Sequence, residues 1–492
     1  MPSFAGFGLT APMFGSPEAL EIFSAQGFIR RMLDVEAALA RAEARCGVIP
    51  AAAAATITQV CLAADDNAAD GHGVERKHVT GHGGVRHTVI DADALAQAAV
   101  AAGNLAIPFV KQLTAAVAAQ DQEAARYVHW GATSQDILDT ALVLQLVDAL
   151  QRQDAQLLRL ADDCATLARR HRDTVMVART WQQHALPTTF GLKAAGWLDA
   201  LRRDLARLHA TRLRVRTLQF GGAAGTLASL GPQAPDVAAC MADELALSPP
   251  ALPWHTHRDR LVEVASTLGM LCGTLGKMAR DISLMMQTEV AEVAEPVGAG
   301  RGGSSTMPHK RNPVGCAAVL TIATRVPALV ATLFAAMPQE HERALGAWQA
   351  EWDTLPTLVI LAAGALRQMG EVIAGLQVDE ARMRANLDMT GGLIMGEAYM
   401  LALGERLGRL PAHHLVEQAA RAATATGMTL RQALQDRLAA DPALGGLLDA
   451  ATLDSLGDPT RYTGQAAHFV DAALAEWQAA RADNARGTVP GG

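Results

Sequence analysis

Aromatic side chains make up only 4% of the 492 residues, and tyrosine occurs three times. Alanine is abundant instead. Strands favour aromatic and β-branched residues, whereas alanine has the best helix propensity, so sheets are excluded as the main framework. No cysteine pair has C-x-x-C spacing. Cys46, Cys61, Cys164, Cys240, Cys272 and Cys316 are scattered through apolar text and read as reduced packing residues. Runs of basic charge are also lacking, and the formal net charge is −8. That leaves no footprint for nucleic acid or for an anionic membrane surface. The longest apolar stretch, "LPTLVILAAGAL" (Leu355–Leu366), is shorter than the ~20 residues that span a bilayer. "MPSFAGFGLT" at the start has no basic region followed by an apolar one, so a cytoplasmic location is expected.

From Ala132 to Leu186 there is neither glycine nor proline. Beginning at "SQDILDTALVLQLV", apolar residues recur at i, i+3, i+4 and i+7, and Thr133, Ser134 and Asp136 offer capping oxygens. The pattern predicts one helix of about 35 residues, ~50 Å long at 1.5 Å per residue. Further long helices are predicted over Leu261–Val290, Gly191–Leu218, Val314–Ala336 and Thr354–Leu376. Five such helices predict an all-α chain with a central long-helix bundle. Their apolar faces exceed what one chain covers, which predicts an oligomer. The division expected is 1–115 for an N-terminal helical domain, 116–376 for the bundle, 377–480 for a small C-terminal helical domain and 481–492 for a flexible tail.

A polar island at 65–91 contains His72, His78, His82 and His87. His78 and His82 have H-x3-H metal spacing, but the surrounding glycines and the lack of helical phase favour a surface insertion. Gly298-x-Gly300-x-x-Gly303 matches a dinucleotide fingerprint in letters only. It follows a helical run rather than a strand, and no acidic residue closes a βαβ unit. "FGGAAGTLASLG" (Phe220–Gly231) lacks the Lys of a phosphate loop and reads equally well as a packing turn. "GAGRGGSSTMPHKRNP" (Gly298–Pro313) is richer in chemistry. Its glycines permit closure over a ligand and its N–H groups can cradle an anion. Ser304 and Ser305 supply hydroxyls, Lys310 a charge and Asn312 donors.

"GSSTMPHKRNP" resembles the signature loop of the fumarase/aspartase superfamily. "HWGATSQDILDTA" (His129–Ala141) and "ARTWQQHALPTTFG" (Ala178–Gly191) resemble its first and second active-site segments, in the family order and over nearly the whole chain. The resemblance implies a three-domain, mostly helical subunit whose central helices form a twenty-helix core in a homotetramer, with each active site shared between three subunits. It implies proton transfer next to a carboxylate through an aci-carboxylate intermediate, which cations and aligned donors must stabilise. Ser304 matches the family's general base, and Lys310 with loop N–H groups would stabilise its alkoxide. His129, Thr133, Ser134, Gln135, His184, Thr188, Ser305, Met307 and Asn312 would bind substrate. No metal and no organic cofactor is expected.

One departure narrows the chemistry. Where adenylosuccinate lyase-like sequences read Arg-Thr-His, this chain reads Arg179-Thr180-Trp181, and the histidine that protonates a departing nitrogen is missing. A basic leaving group needs that proton, whereas a carboxylate, with a pKa of about 4, does not. Several segments, among them "LQFGGAAGTLASLG" and "GAWQAEW", resemble the branch that lactonizes 3-carboxymuconate, a tricarboxylate. There Trp181 would wall the pocket. Arg343 in "EHERALG" would be a second cation, unless it pairs with Glu340 or Glu342 on a helix surface. The competing readings are an adenylosuccinate lyase-like eliminase, which Trp181 opposes, and a non-catalytic, crystallin-like member of the fold, which the intact Ser304, Lys310 and Asn312 oppose.

Overall fold

The computed structural model describes residues 7–63, 89–298, 302–303, 306–307 and 309–485. The polar island, apart from its last residues, and Ser304 and Ser305 lie outside the described residues. Eighteen α-helices are present among the described residues. The chain forms two compact units, one of residues 1–155, 207–273 and 321–367, the other of 156–206, 274–320 and 368–492.

The long helices are Ser134–Arg170, Phe190–Val215, Asp259–Met285, Val314–Ala335 and Ala347–Ala374. The last begins seven residues before the predicted Thr354 and runs through Pro356. Tertiary contacts hold its first turns: Trp348 and Glu351 are buried, the indole N–H of Trp348 donates to Asp139 Oδ1 at 3.1 Å, and Glu351 pairs with Arg258. These bonds override the helix-breaking tendency of one proline.

Two features add detail to the helical class expected from the sequence. The fold is helical but not purely so, because Val175–Thr180 and Gln183–Thr189 form an antiparallel hairpin and Val293–Ala294 pairs with Gln377–Val378. In addition, the Val314–Ala335 and Ala347–Ala374 helices each have the length and composition to cross a membrane, a test that the core helices of soluble proteins also pass. Of the apolar window in Ala347–Ala374, 61% is buried inside the chain, as in a core helix; in Val314–Ala335 the share is 33%.

In the second unit the short helices Gly396–Leu407, Arg409–Thr426 and Leu430–Ala440 close around Tyr399, Leu403, Ala419 and Leu434. In the first unit, helix Ala25–Arg45 packs on helix Ala51–Ala63. Its apolar face includes two acids one heptad apart, Glu36 and Glu43, both buried. Among the described residues neither oxygen of Glu43 has a hydrogen-bond partner. Burial, with Glu36 adding repulsion, pushes the Glu43 carboxyl up to about 9.

Between the ordinary value of 4.5 and about 9 the folded chain therefore holds a proton that the unfolded chain does not, and stability falls as pH rises through that window. Glu43→Gln should remove this fall. Thermal melts from pH 5 to 9 should show the variant gaining on wild type toward alkaline pH, by a few kcal/mol, roughly, at the top of the range.

Candidate functional site

The first active-site segment, His129–Ala141, leads into the start of helix Ser134–Arg170. Asp136, in its first turn, is fully buried and accepts five hydrogen bonds. Oδ1 takes the N–H of Gly221 at 2.9 Å, Nε2 of His255 at 2.8 Å and Nε2 of Gln219 at 3.2 Å. Oδ2 takes the N–H of Gly222 at 2.9 Å and of Thr133 at 3.0 Å. A carboxylate removed from water needs such donors. The Gly-rich turn is thereby pinned against the helix start, and it admits no side chain. A Cβ on Gly221 would lie 2.8 Å from His255 Cε1, and Gly222 has φ +68°. The Phe220–Gly231 segment therefore supports the site, a role its composition left open.

The Thr133 hydroxyl does not cap the helix: the Asp136 N–H donates to the Thr133 carbonyl at 3.0 Å, and the Asp136 carboxylate accepts the Thr133 N–H. The hydroxyl accepts instead from Arg343 Nη2 at 3.1 Å. The same nitrogen donates to the Ala223 carbonyl at 3.2 Å, and Nε donates to Gln135 Oε1 at 3.3 Å. Gln135 is buried and oriented by donating Nε2 to the His255 carbonyl and to Asp139. Glu340 is not the partner of Arg343, since it accepts from the Leu345 N–H. Among the described residues no carboxylate neutralises Arg343, so this cation is held only by neutral acceptors.

Beneath it lies a second buried network. Arg258 bridges Asp139, at 2.6 and 3.1 Å, and Glu351, at 2.5 to 3.2 Å, under the Trp254 ring 5.1 Å away. Burial works against the Arg258 charge, but the two carboxylates hold it above its ordinary value. Burial pushes Glu351 up, against the pull of Arg258. None of Asp136, Asp139, His255, Arg258 and Glu351 was singled out as functional in the sequence. The available signal was acids at i and i+3 on the apolar face of a helix.

The second unit holds the other two segments. In the hairpin, Trp181 and Gln182 form the two-residue turn between Thr180 and Gln183, with φ of +52° and +63°. Trp181 at the tip is 95% exposed within the chain. At the root of the turn, Arg179 grips buried Glu292 with two bonds of 2.8 and 2.7 Å, and Asn386 supports the same carboxylate at 2.9 Å. His184 faces Arg179 in the register; burial first, and Arg179 second, hold its pKa below the ordinary value. Thr188 pairs with Met176 and is half-buried.

The signature loop is tied at its base. The Asn312 N–H donates to the Gly302 carbonyl at 2.9 Å, and Arg311 reaches the Glu295 carbonyl at 2.6 Å. Glu295 also accepts the N–H groups of Gly315 and Cys316, at 3.0 and 2.8 Å, at the start of the following helix. Lys310 and Met307 are exposed. Thr133, Ser134, Gln135 and Arg343 are thus brought together in one unit, with His129 at the start of the same segment, while Arg179–Thr188 and the described loop residues 302–303, 306–307 and 309–312 are positioned in the other.

A family model described as Lyase matches residues 14–328, and one described as adenylosuccinate lyase C-terminus matches 392–473. The 3-carboxy-cis,cis-muconate cycloisomerase of Pseudomonas aeruginosa is 52% identical over 97% of this chain and 96% of its own length. The nitrosuccinate lyase of Streptomyces davaonensis is 41% identical over 95% and 94%. Among solved structures, the 3-carboxy-cis,cis-muconate lactonizing enzyme of Pseudomonas putida superposes with a TM-score of 0.85 at 49% identity, covering 96% of this chain and 99% of that one.

Positive φ at two consecutive non-glycine residues costs stability, and a two-residue hairpin turn of this kind favours glycine in its second place. Gln182→Gly should therefore stabilise the protein by ~0.5–1 kcal/mol after glycine's unfolded-state entropy is set against the strain. A higher urea midpoint than wild type checks this.

Proposed function

The chain belongs to the fumarase/aspartase lyase family, and within it we propose that it is a 3-carboxy-cis,cis-muconate cycloisomerase. The observation that carries this reading is Arg343, a cation fixed by Thr133, Gln135 and the Ala223 carbonyl and left without a counter-ion among the described residues. Such a group suits a substrate with several carboxylates. The two relatives named above for this activity, at 52% and 49% identity over nearly the full length, support the same substrate.

In the reaction, one substrate carboxylate oxygen adds to a carbon–carbon double bond and closes the lactone ring. The electron pair moves onto the neighbouring carbon and is held as an aci-carboxylate. A proton then adds to that carbon, so the product is an isomer of the substrate. Lys310 and Arg343 would hold the doubled negative charge. Ser304 would exchange the proton at carbon, as the family's base position. The nucleophile is a carboxylate and needs no proton removed, so the reaction dispenses with the acid that Trp181 replaces. Trp181, Lys310, Ser304 and Arg343 form the proposed catalytic set. His129, Ser134, His184, Thr188, Ser305, Met307 and Asn312 would line the binding surface, with no metal or organic cofactor.

The assembly we infer is a homotetramer of three-domain subunits with shared sites. The exposed apolar side chains Met270, Leu284 and Phe334 on two of the long helices support it, as does the exposed Trp181 at its hairpin tip. A covered tip would let Trp181 wall a neighbouring pocket and exclude water.

Loss of the substrate's diene absorbance is the direct assay. Wild type should turn over 3-carboxymuconate and leave adenylosuccinate untouched. Ser304→Ala and Lys310→Ala should each lower kcat about 100-fold or more, the scale of a lost proton-transfer or charge-stabilising group. Trp181→His should not accelerate lactonization; a markedly faster variant would overturn the assignment.

Re-associated mixtures of Ser304→Ala with Arg343→Ala subunits should regain activity that neither has alone, because some shared sites draw both intact residues from different chains. Mixtures that stay inactive while forming hybrid tetramers would exclude shared sites.

A further inference from the structure

His129 opens the first active-site segment in a left-handed conformation, φ +60°, which a residue with a side chain rarely adopts. Such an outlier persists only when its surroundings hold it, and it is a reason to look for function. The His129 ring is held by Glu36, in the middle of helix Ala25–Arg45 and 93 residues away in sequence. Its Oε1 lies 2.7 Å from His129 Nδ1, and the Glu36 side chain is 1% exposed. Its other oxygen has no hydrogen-bond partner among the described residues. The histidine side chain keeps 18% of its surface, and its Nε2 makes no bond among the described residues.

We propose that Glu36 is a positioning residue for substrate binding: its carboxylate fixes Nδ1–H of His129 as the donor, so that Nε2–H is presented to a substrate carboxylate. The proposal rests on the reading of the site as a tricarboxylate-binding cycloisomerase.

The surroundings favour a charged imidazole. Burial opposes the charge, but Glu36 and, less strongly, Asp136 hold His129 above its ordinary pKa. Asp136, on helix Ser134–Arg170, is already saturated by five donors. Two further groups approach Glu36. Glu43, on its own helix, is pushed up to about 9, and Cys61, on helix Ala51–Ala63, is raised by burial. Both are therefore neutral at pH 7. Glu36 is thus the carboxylate left to answer the imidazolium, and the arrangement is the familiar acid–imidazole pair in which one ring nitrogen is fixed by the bond the other makes.

His129 is cationic below its raised pKa and neutral above it, so substrate affinity should be full on the acid side and weaken as pH rises through that value. Glu36→Gln preserves volume and removes the charge. At pH 7.5 it should raise KM for 3-carboxymuconate roughly tenfold or more with a much smaller change in kcat, and should move the alkaline rise in KM to lower pH. Glu36→Asp should recover part of the loss. In protein labelled with 13C-histidine, the His129 resonance, identified by its absence in His129→Gln, should titrate at lower pH in Glu36→Gln than in wild type. A general packing defect would move neither the titration nor the KM profile selectively.

An unchanged His129 titration, or an unchanged KM profile, in Glu36→Gln would overturn the proposal. If wild type ignores 3-carboxymuconate, the functional reading fails, while the His129 titration still decides whether Glu36 controls the ring. If Glu36→Gln does not fold, His129→Gln decides: an alkaline rise in KM that persists without the imidazole overturns the proposal, and its disappearance supports it.

Discussion

The burial of the Asp136 carboxylate is the constraint on which the first active-site segment depends. An ionised group without water must collect donors or be neutralised, and here it collects them from four places in the chain: Thr133, Gln219, the Gly221–Gly222 turn and His255. Each donor is thereby fixed relative to the others. The start of helix Ser134–Arg170 is capped by its own third residue, the glycine turn lies against it, and the Thr133 hydroxyl faces Arg343. Breaking such a network costs more than the loss of one hydrogen bond, because the remaining groups stay buried and unpaired.

Charge in the first unit is arranged by depth. Deep in the fold, Arg258 is answered by two carboxylates, and Glu43 avoids charge by keeping its proton. Nearer the site, Arg343 is answered only by neutral oxygens, and His129 by one carboxylate beneath it. Under the proposed function, an anionic substrate would complete the electrostatics without displacing a protein partner. An overall charge of −8 does not prevent this, because the field at a cleft is set by the nearest groups and their desolvation.

Much of the framework was legible in the sequence because helix formation over long stretches is a local matter. The absence of glycine and proline after Gly131, with apolar residues every three to four positions, predicted a helix of about 35 residues starting where the 37-residue helix Ser134–Arg170 begins. The same absence hid the hairpin at Val175–Thr189. That segment has no Asn-Gly or Asp-Gly at its turn; Trp181 and Gln182 adopt left-handed angles instead. The Arg179–Glu292 grip spans 113 residues of sequence and sits at the root of that turn, and no local pattern announces it. The early start of helix Ala347–Ala374 was missed for the same kind of reason: Pro356 signals a break, and the opposing bonds from Trp348 and Glu351 come from distant residues.

By itself, then, the sequence determined the helical class, the family and the type of chemistry. Periodicity, capping residues and the run from Ser304 to Asn312 are properties of contiguous residues, and Trp181 where adenylosuccinate lyase-like sequences read histidine is a change of one letter. Only the tertiary structure decided which charges are answered. Whether Arg343 pairs with its neighbour Glu340 or lies open beside Thr133 and Gln135, and whether His129 stands alone or on Glu36, depends on contacts between residues more than ninety positions apart. Such contacts form only when the helices pack, and burial then gives each polar group a choice between a partner and neutrality.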